Sequence, residues 1–300
     1  MIGRLSCRGK IWRQPASARG LAQILFGLLA FVAVQLAYAA APSSDINIAT
    51  YNLRLNTPSD GPNAWPQRRD AVKALIRYHE FDIVGTQEGL PDQIADLDAM
   101  PGFAHVGVGR DDGKNAGEHS AIFYRTARFD LEKHGDYWLS ETPDKPSKGW
   151  DAKCCNRIAS WAKLHDRVTG KRFFVFNVHF DHQGEVARRE SAKLMLKKIK
   201  EIAGNDTVIC TGDFNSTPDT EQIKAMETVF RDARAISAEP PYGPEGTFND
   251  FKLDSALPDR IDYLFVGPKI EVLKYAVLTD SVKARFPSDH LPVVARIRLP

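Results

Sequence analysis

The sequence predicts an α/β chain in which two packed β-sheets are flanked by helices, forming one domain over residues 44–300. Three observations lead there. About nine or ten short runs rich in apolar, β-branched and aromatic residues read as strands. About four stretches carry apolar residues at helical spacing. Hairpin-like and helix-linked connections are mixed, and no compositional linker divides the chain.

Residues 46–53 alternate as a strand does, and residues 65–78 place Val72, Leu75 and Ile76 at helical spacing after a Pro-Asn-Ala entry. Residues 81–86 form a short apolar run that reads as a buried strand. A helix over 90–99 ends at Pro101-Gly102, and strands over 103–108 and 120–124 surround the polar loop 109–119. A Pro- and Trp-bearing connection, 140–156, follows. The turn-prone Thr169-Gly170 separates the strand-like runs 161–166 and 173–180, the outline of a hairpin. Residues 185–202 make an amphipathic helix, with Ala187, Leu194, Met195 and Ile202 in one stripe and Lys and Arg opposite. A buried strand over 207–211, a turn over 212–218 and a helix near 220–229 come next. Strands over 261–266, 270–278 and 291–299 close the chain.

Residues 1–41 read as a signal peptide: a basic stretch ending near Arg19, an apolar run over 24–36 broken only by Gln35, then the small residues of Ala37-Tyr38-Ala39-Ala40-Ala41. Cleavage after Ala39 or Ala41 would place the product in the periplasm or outside the cell. Left uncut, residues 21–41 would be barely long enough to cross a bilayer, and no later segment is apolar enough to span one. The full chain carries a formal charge of +2, but the leader holds five bases and no acid. The remainder has 35 bases against 38 acids, or −3. It also keeps three cysteines, Cys154, Cys155 and Cys210. Adjacent cysteines close only a tight ring with each other, so the expected disulfide joins one of the pair to Cys210, or none forms.

Polar residues recur where apolar strands should end: Asn52, Glu88, His179, Asp213 with Asn215, Asp262, and Asp289 with His290. A carboxylate among apolar neighbours is costly to bury without a partner, a metal or water. Singly, each has a structural explanation: Asp213 shaping a turn after Gly212, His290 as a satisfied core histidine, Glu88 capping the next helix. Together they point to function, because strands of one sheet bring side chains from distant positions to a common rim. In Asp213-Phe214-Asn215 and His179-Phe180-Asp181 the first and third side chains share a face if the backbone stays extended. Gly109-Arg-Asp-Asp-Gly113-Lys114 lacks Walker A spacing, and no G-x-S-x-G elbow is present.

The order Asn, Glu, His, Gly-Asp-x-Asn, Asp-Tyr, Ser-Asp-His, running from Asn52 to His290, resembles the metal-dependent endonuclease/exonuclease/phosphatase superfamily. Gly85-Thr-Gln-Glu88, Gly117-Glu-His-Ser-Ala-Ile-Phe-Tyr124 and Gly149-Trp150-Asp151 look like an exported bacterial branch of it, largely without assigned function. The resemblance implies a four-layer, deoxyribonuclease I-like sandwich of two mainly antiparallel sheets with the site at one rim. It also implies that Glu88, Asn52 and Asp289 hold Mg²⁺, or Mn²⁺ in its place, since oxygen ligands suit a hard cation. Asp213 would activate the attacking water, Asn215 would fix that geometry or hold a phosphate oxygen, and Asp262 would orient His290 toward the phosphoryl group. His179 would contact phosphate from the other side. Arg157, His182, Glu118 and His119 are the candidates for binding substrate, with Arg110 and Arg54 as competing arginines.

Substrate choice is left to charge. A nuclease gripping a polyanion should carry a basic stripe, whereas this chain minus its leader is slightly acidic with scattered bases. The expectation is therefore an exported phosphatase acting on a small phosphorylated solute such as a sugar phosphate. A secreted Mg-dependent nuclease acting on DNA or RNA is the alternative, and a non-catalytic binding protein on the same fold is a third reading.

Overall fold

The computed structural model describes residues 43–300, so the expected signal peptide lies outside the described residues. Residues Ser44–Pro300 form one unit. Among the described residues no helix is long and apolar enough to cross a membrane.

One sheet has the strand order β11-β12-β1-β2-β4-β3, from Glu271–Val277, Val293–Arg298, Ile46–Asn52, Ile83–Gln87, Ile122–Arg125 and Phe103–Val106. The other has the order β5-β6-β7-β8-β10-β9, from Phe129–Trp138, Ile158–Asp166, Arg172–His179, Val208–Asp213, Asp262–Val266 and Arg231–Asp232. Neighbours are antiparallel except β1 with β2 and β7 with β8. Helices α1 (Trp65–Tyr78) and α2 (Pro91–Asp98) cover the first sheet, and α3 (Glu185–Ala203) and α4 (Glu221–Glu227) cover the second. The four-layer α/β sandwich expected from the motifs is the architecture observed.

The period-two alternation of the strands explains the layers. In β1, Ile46 and Ile48 face the second sheet, while Ala49 and Tyr51 pack with Trp65, Val72 and Ile76 of α1. In β7, Phe173 and Val175 face the first sheet, while Phe174, Phe176 and Val178 pack with Met195 and Ile199 of α3. Each helix needs only one apolar stripe, and α3 buries Ala187, Ala192, Met195, Ile199 and Ala203 while its lysines stay outside.

Along five central strands the inter-sheet face changes from apolar to polar toward one end. Ile48 gives way to Asn52, Val175 to Asn177 and His179, Ile209 to Thr211 and Asp213, and Val266 to Asp262. The β2 strand runs from Ile83 through Gly85 to Gln87. Just below the rim, Gln87 Nε2 donates to Asn177 Oδ1 at 2.7 Å, and Thr211 Oγ1 donates to the same oxygen at 2.9 Å. The sheets approach so closely there that a Cβ on Gly85 would lie 2.1 Å from Thr211 Oγ1 and 2.5 Å from Asn177 Oδ1. Glycine at 85 is thus a packing requirement that keeps the rim narrow.

The predicted elements all appear, with ends shifted by a few residues. Residues 129–138, left without an element by the sequence reading, form the edge strand β5. Its central residues Glu132, Lys133 and His134 are exposed, so the strand lacks the apolar pattern of its neighbours. The expected cysteine pairing is corrected: Cys154 is bonded to Cys155, and Cys210 is free and buried. Cys210 faces the helix layer among Phe176, Phe265 and Met195, out of reach of a thiol in the exposed loop before β6.

Candidate active site

The polar ends of β1, β2, β7, β8 and β10 open onto a cleft of about 860 Å³ bordered by Glu88, His179, Asp213, Asp289 and His290. Convergence follows from strand direction. β1 and β2 are parallel and end together, with Asn52 opposite Gln87. β7 and β8 are parallel and end with His179 opposite Asp213. β10 is antiparallel to β8, so its first residue, Asp262, lies opposite Asp213. β12 is antiparallel to β1, and Asp289 and His290 lie just ahead of it, separated from its first residue by Leu291 and Pro292, at the same rim.

The two halves meet through Asn52. Its Nδ2 donates to Glu88 Oε1 and to Asp213 Oδ2, both at 3.0 Å. Glu88 follows β2 with a φ of 62°, a left-handed conformation rare outside glycine, which turns its carboxylate back toward β1. Glu88 Oε2 accepts from Leu55 N at 3.0 Å. Burial opposes ionisation of Glu88, but the charge of His290 and these hydrogen bonds outweigh it and lower its pKa. Asp289 behaves differently: burial pushes it up to about 6, with the Glu88 charge adding to the shift against opposing contributions from His290 and Arg54.

Asp262 Oδ2 accepts from Thr247 Oγ1 at 2.6 Å and lies 2.9 Å from His290 Nδ1. His290 Nε2 is then 3.8 Å from Asp213 Oδ2. Burial by itself would lower the His290 pKa, but Asp262, Asp213 and Asp289 raise it well above the ordinary histidine range. Asp213 is pushed up to about 7 by burial and by Asp262, against the charge of His290. A carboxyl near neutrality beside a charged imidazole is an acid–base pair matched to hydrolysis near pH 7. His179 Nε2 lies 3.5 Å from Asp213 Oδ2. Burial, then the charges of Arg157 and Arg110, hold His179 well below the usual range and therefore neutral.

At the carboxylate end of the cleft, two sets of side chains have the chemistry of a cation site. Asp213, Asp262 and His290 offer ligand atoms all within 4.8 Å of one another, but the His290 imidazolium already supplies the positive charge between the two carboxylates. Glu88 and Asp289 are the better candidates. Asp289 is buried and Glu88 half-buried, the Glu88 charge raises the Asp289 pKa, and Arg54 Nε comes no closer than 3.8 Å to Asp289. Their oxygens suit a hard divalent cation, whereas Asn52 turns its Nδ2 toward Glu88 and its Oδ1 accepts from Arg54 N at 2.9 Å, so the amide braces the carboxylate and presents no free oxygen beside it.

On the other flank, Arg157 is 5% exposed. Its Nη2 contacts His182 Nδ1 at 2.7 Å and its Nε donates to Asp181 Oδ2 at 3.4 Å. Its Nη1 is buried without a protein partner among the described residues. Glu118 also borders the cleft; it pairs with Arg110 at 2.5 Å and lies 3.8 Å from His179 Nδ1. Burial raises its pKa.

Eleven of the twelve predicted site residues, from Asn52 to His290, therefore gather at or directly beneath this cleft; His119 does not. His119 Nδ1 lies 3.0 Å from the Gly89 carbonyl, and its backbone bridges Gly89 and Gly109, so it braces the loops behind Glu118. The two shared-face expectations also change. Asn215 has a φ of 46°, so its backbone is not extended. Instead its N–H donates to Asp213 Oδ1 at 2.9 Å and its side-chain Nδ2 to Phe180 O at 3.1 Å. Asp181 lies past the end of β7 and holds the backbone N–H of Gln183 and Gly184 rather than facing the cleft beside His179.

Sequence reasoning missed Thr247, which anchors Asp262, Phe248, whose ring meets His290 edge-on at 5.1 Å, and Ser288, whose Oγ donates to Asn52 O at 2.7 Å. Only Ser288 had a signal, its place in Ser-Asp-His. Arg68 is likewise buried and donates to the carbonyls of Asn63, Leu53, Arg54 and Pro287, fixing the loop after β1.

This geometry defines a phosphoesterase cleft at the rim of a four-layer sandwich, and residues 49–290 match the Endonuclease/Exonuclease/phosphatase family. The chain belongs to that family, whose members as a rule depend on a divalent metal. It is 44% identical to a mannosyl-6-phosphatase of Bacteroides thetaiotaomicron, with a TM-score of 0.81 and coverage of 85% of this chain and 100% of that one. The human Nocturnin catalytic domain shares the fold at 19% identity and a TM-score of 0.66, over 84% of this chain and 93% of that one. An uncharacterized protein of Acanthamoeba polyphaga mimivirus is 28% identical over 159 residues, 51% of this chain. The chain spans 36% to 59% of the length of the curated relatives it matches.

Proposed function

We propose that the protein is an exported, Mg²⁺-dependent phosphomonoesterase acting on a small phosphorylated solute of the sugar phosphate kind. The observation that carries this reading is Arg157, a buried guanidinium with one unpaired Nη1 beside the reaction centre. A phosphomonoester ends in three oxygens bearing up to two negative charges, and a fixed arginine is the natural partner for that terminal group. A diester has no such end. The cleft volume suits one small molecule, the chain minus its leader has no excess of bases, and the similarity to the Bacteroides mannosyl-6-phosphatase supports a sugar phosphate.

Glu88, steadied by the Asn52 amide, and Asp289 would hold the cation, which would supply positive charge to the phosphoryl oxygens. Asp213 accepts the proton of the attacking water at Oδ2, while the Asn52 amide keeps that oxygen in place. Asn215 fixes the other oxygen through its backbone N–H. His290, held by Asp262 at Nδ1, donates from Nε2 as charge develops on the phosphoryl group. Neutral His179 contacts a phosphate oxygen, and Arg157 and His182 bind the terminal oxygens. Glu118 keeps Arg110 and His179 in register behind them.

Phosphate release from a panel of sugar phosphates, set beside cleavage of DNA and RNA at low salt, tests the reading. Chelator-sensitive release from one or more sugar phosphates is expected. Cleavage of polynucleotides alone would overturn the assignment.

A further inference from the structure

Cys154 and Cys155, bonded to each other, border the same cleft as Asp213 and His290, yet the hydrolytic chemistry has no use for them. Their surroundings suggest one. Cys154 Sγ, a carboxylate oxygen of Asp181 and a ring nitrogen of His182 lie within 4.8 Å of one another. Asp181 and His182 are the two side chains that hold the Arg157 guanidinium, at 3.4 and 2.7 Å. The disulfide therefore sits behind the partners of the arginine. A soft metal ion is a poor occupant for this corner, because the guanidinium is already its cation and Cys154 is already bonded.

We propose that the Cys154–Cys155 disulfide positions Arg157, and that reducing it to two thiols weakens capture of the substrate's phosphate; the inference rests on the phosphomonoesterase reading. The chain is pinned on both sides of the pair. Before it, Asp151 accepts from Val186 N at 3.1 Å and Ala187 N at 2.7 Å at the start of α3. After it, Asn156 Nδ2 donates to Arg110 O at 3.2 Å, and Leu139 N donates to Arg157 O at 2.8 Å. Between these anchors the sulfur–sulfur bond closes a ring through the intervening peptide and restricts the torsions of both cysteines. Opening the ring restores that freedom two residues before Arg157.

Reduction has a chemical route. A thiolate of an external dithiol attacks one sulfur, giving a mixed disulfide and releasing the other cysteine as a thiolate that takes up a proton. The dithiol's second thiolate then displaces the remaining cysteine, which is also protonated, so the protein gains two electrons and two protons and the dithiol leaves as its own disulfide. Cys154 is exposed and open to this attack, whereas Cys210 is buried.

The test is calorimetric titration of the full-length protein with inorganic phosphate, with divalent metal present, before and after reduction by a dithiol and with free thiols counted. Reduction should weaken phosphate binding by about five- to tenfold. The KM for a hydrolysed sugar phosphate should rise by a similar factor, with kcat changing by less than about twofold. The double variant Cys154→Ser/Cys155→Ser should match the reduced protein and ignore the reductant. Arg157→Ala should bind phosphate weakly in both states, with no redox response left. Equal phosphate affinity before and after verified reduction of the wild type would overturn the inference. Failure to hydrolyse any phosphomonoester in either state would instead sink the functional reading, while the phosphate titration still decides the role of the disulfide.

Discussion

Asn52 and Asp213, 161 residues apart and on different sheets, are joined by a 3.0 Å hydrogen bond from Nδ2 to Oδ2. The same amide group reaches Glu88, so one side chain ties the carboxylate suited to a cation to the carboxyl suited to water.

This link makes Asp213 the most sensitive position. Asp213→Asn preserves shape but removes the proton acceptor, and kcat should fall by roughly 10²–10⁴. Asn52→Ala should lower kcat as well, by freeing Oδ2. Initial rates on a hydrolysed phosphate ester, with thermal melts to verify folding, are the measurement; wild-type kcat in Asp213→Asn would remove it from the chemistry.

Glu88 and Asp289 share one corner, where the Glu88 charge raises the Asp289 pKa. Chelation should abolish most hydrolysis, and added Mg²⁺ or Mn²⁺ should restore it. Glu88→Gln should weaken metal affinity by at least about tenfold, on the scale seen when metal-site partners are altered. Calorimetric metal titration of wild type and variant checks this independently of turnover, and equal affinities would move the cation elsewhere.

His179 is buried and neutral, held there by burial and then by the Arg157 and Arg110 charges. Its unfolded form takes up a proton near the ordinary value of 6.5 while the folded form does not, so the unfolded state binds more protons as pH falls through that point. Its contribution is therefore a loss of stability on acidification. Denaturant unfolding at pH 7 and pH 5 should show a smaller acid loss in His179→Asn than in wild type; an equal or larger loss would contradict the assignment.

Gly85 lets the sheets meet, since a Cβ there would overlap Thr211 and Asn177. Gly85→Ala should destabilise the fold by about 1–3 kcal/mol, the usual cost of overpacking. It should also lower kcat, because Gln87, Asn177 and Thr211 support the rim. Chemical denaturation is the check, and wild-type stability would show that the sheets can part without cost.

Much of this was legible beforehand where a strand carries its own period. β1, β7 and β8 announce themselves by alternating or apolar runs, and their last inward residues, Asn52, His179 and Asp213, stand out as polar groups on an otherwise apolar face. The β5 strand was illegible because its outward edge is exposed and charged. Thr247 gave no signal because an isolated threonine in a loop says nothing of a carboxylate 15 residues on. The expectation of a bridge to Cys210, or of none, rested on the tight ring between neighbouring cysteines, and spacing along the chain does not show that Cys210 packs inside the helix layer.

By itself, the amino-acid sequence determined the class of fold and which polar side chains must end buried strands, since side-chain period and the cost of burying charge are local matters. Tertiary structure alone decided which of those groups touch. Asn52 reaches Asp213, His119 turns away to Gly89, and Asn215 binds through its backbone rather than along a strand face. Contacts between sheets depend on register, crossing and backbone hand at each rim residue, and none of these is carried by spacing along the chain.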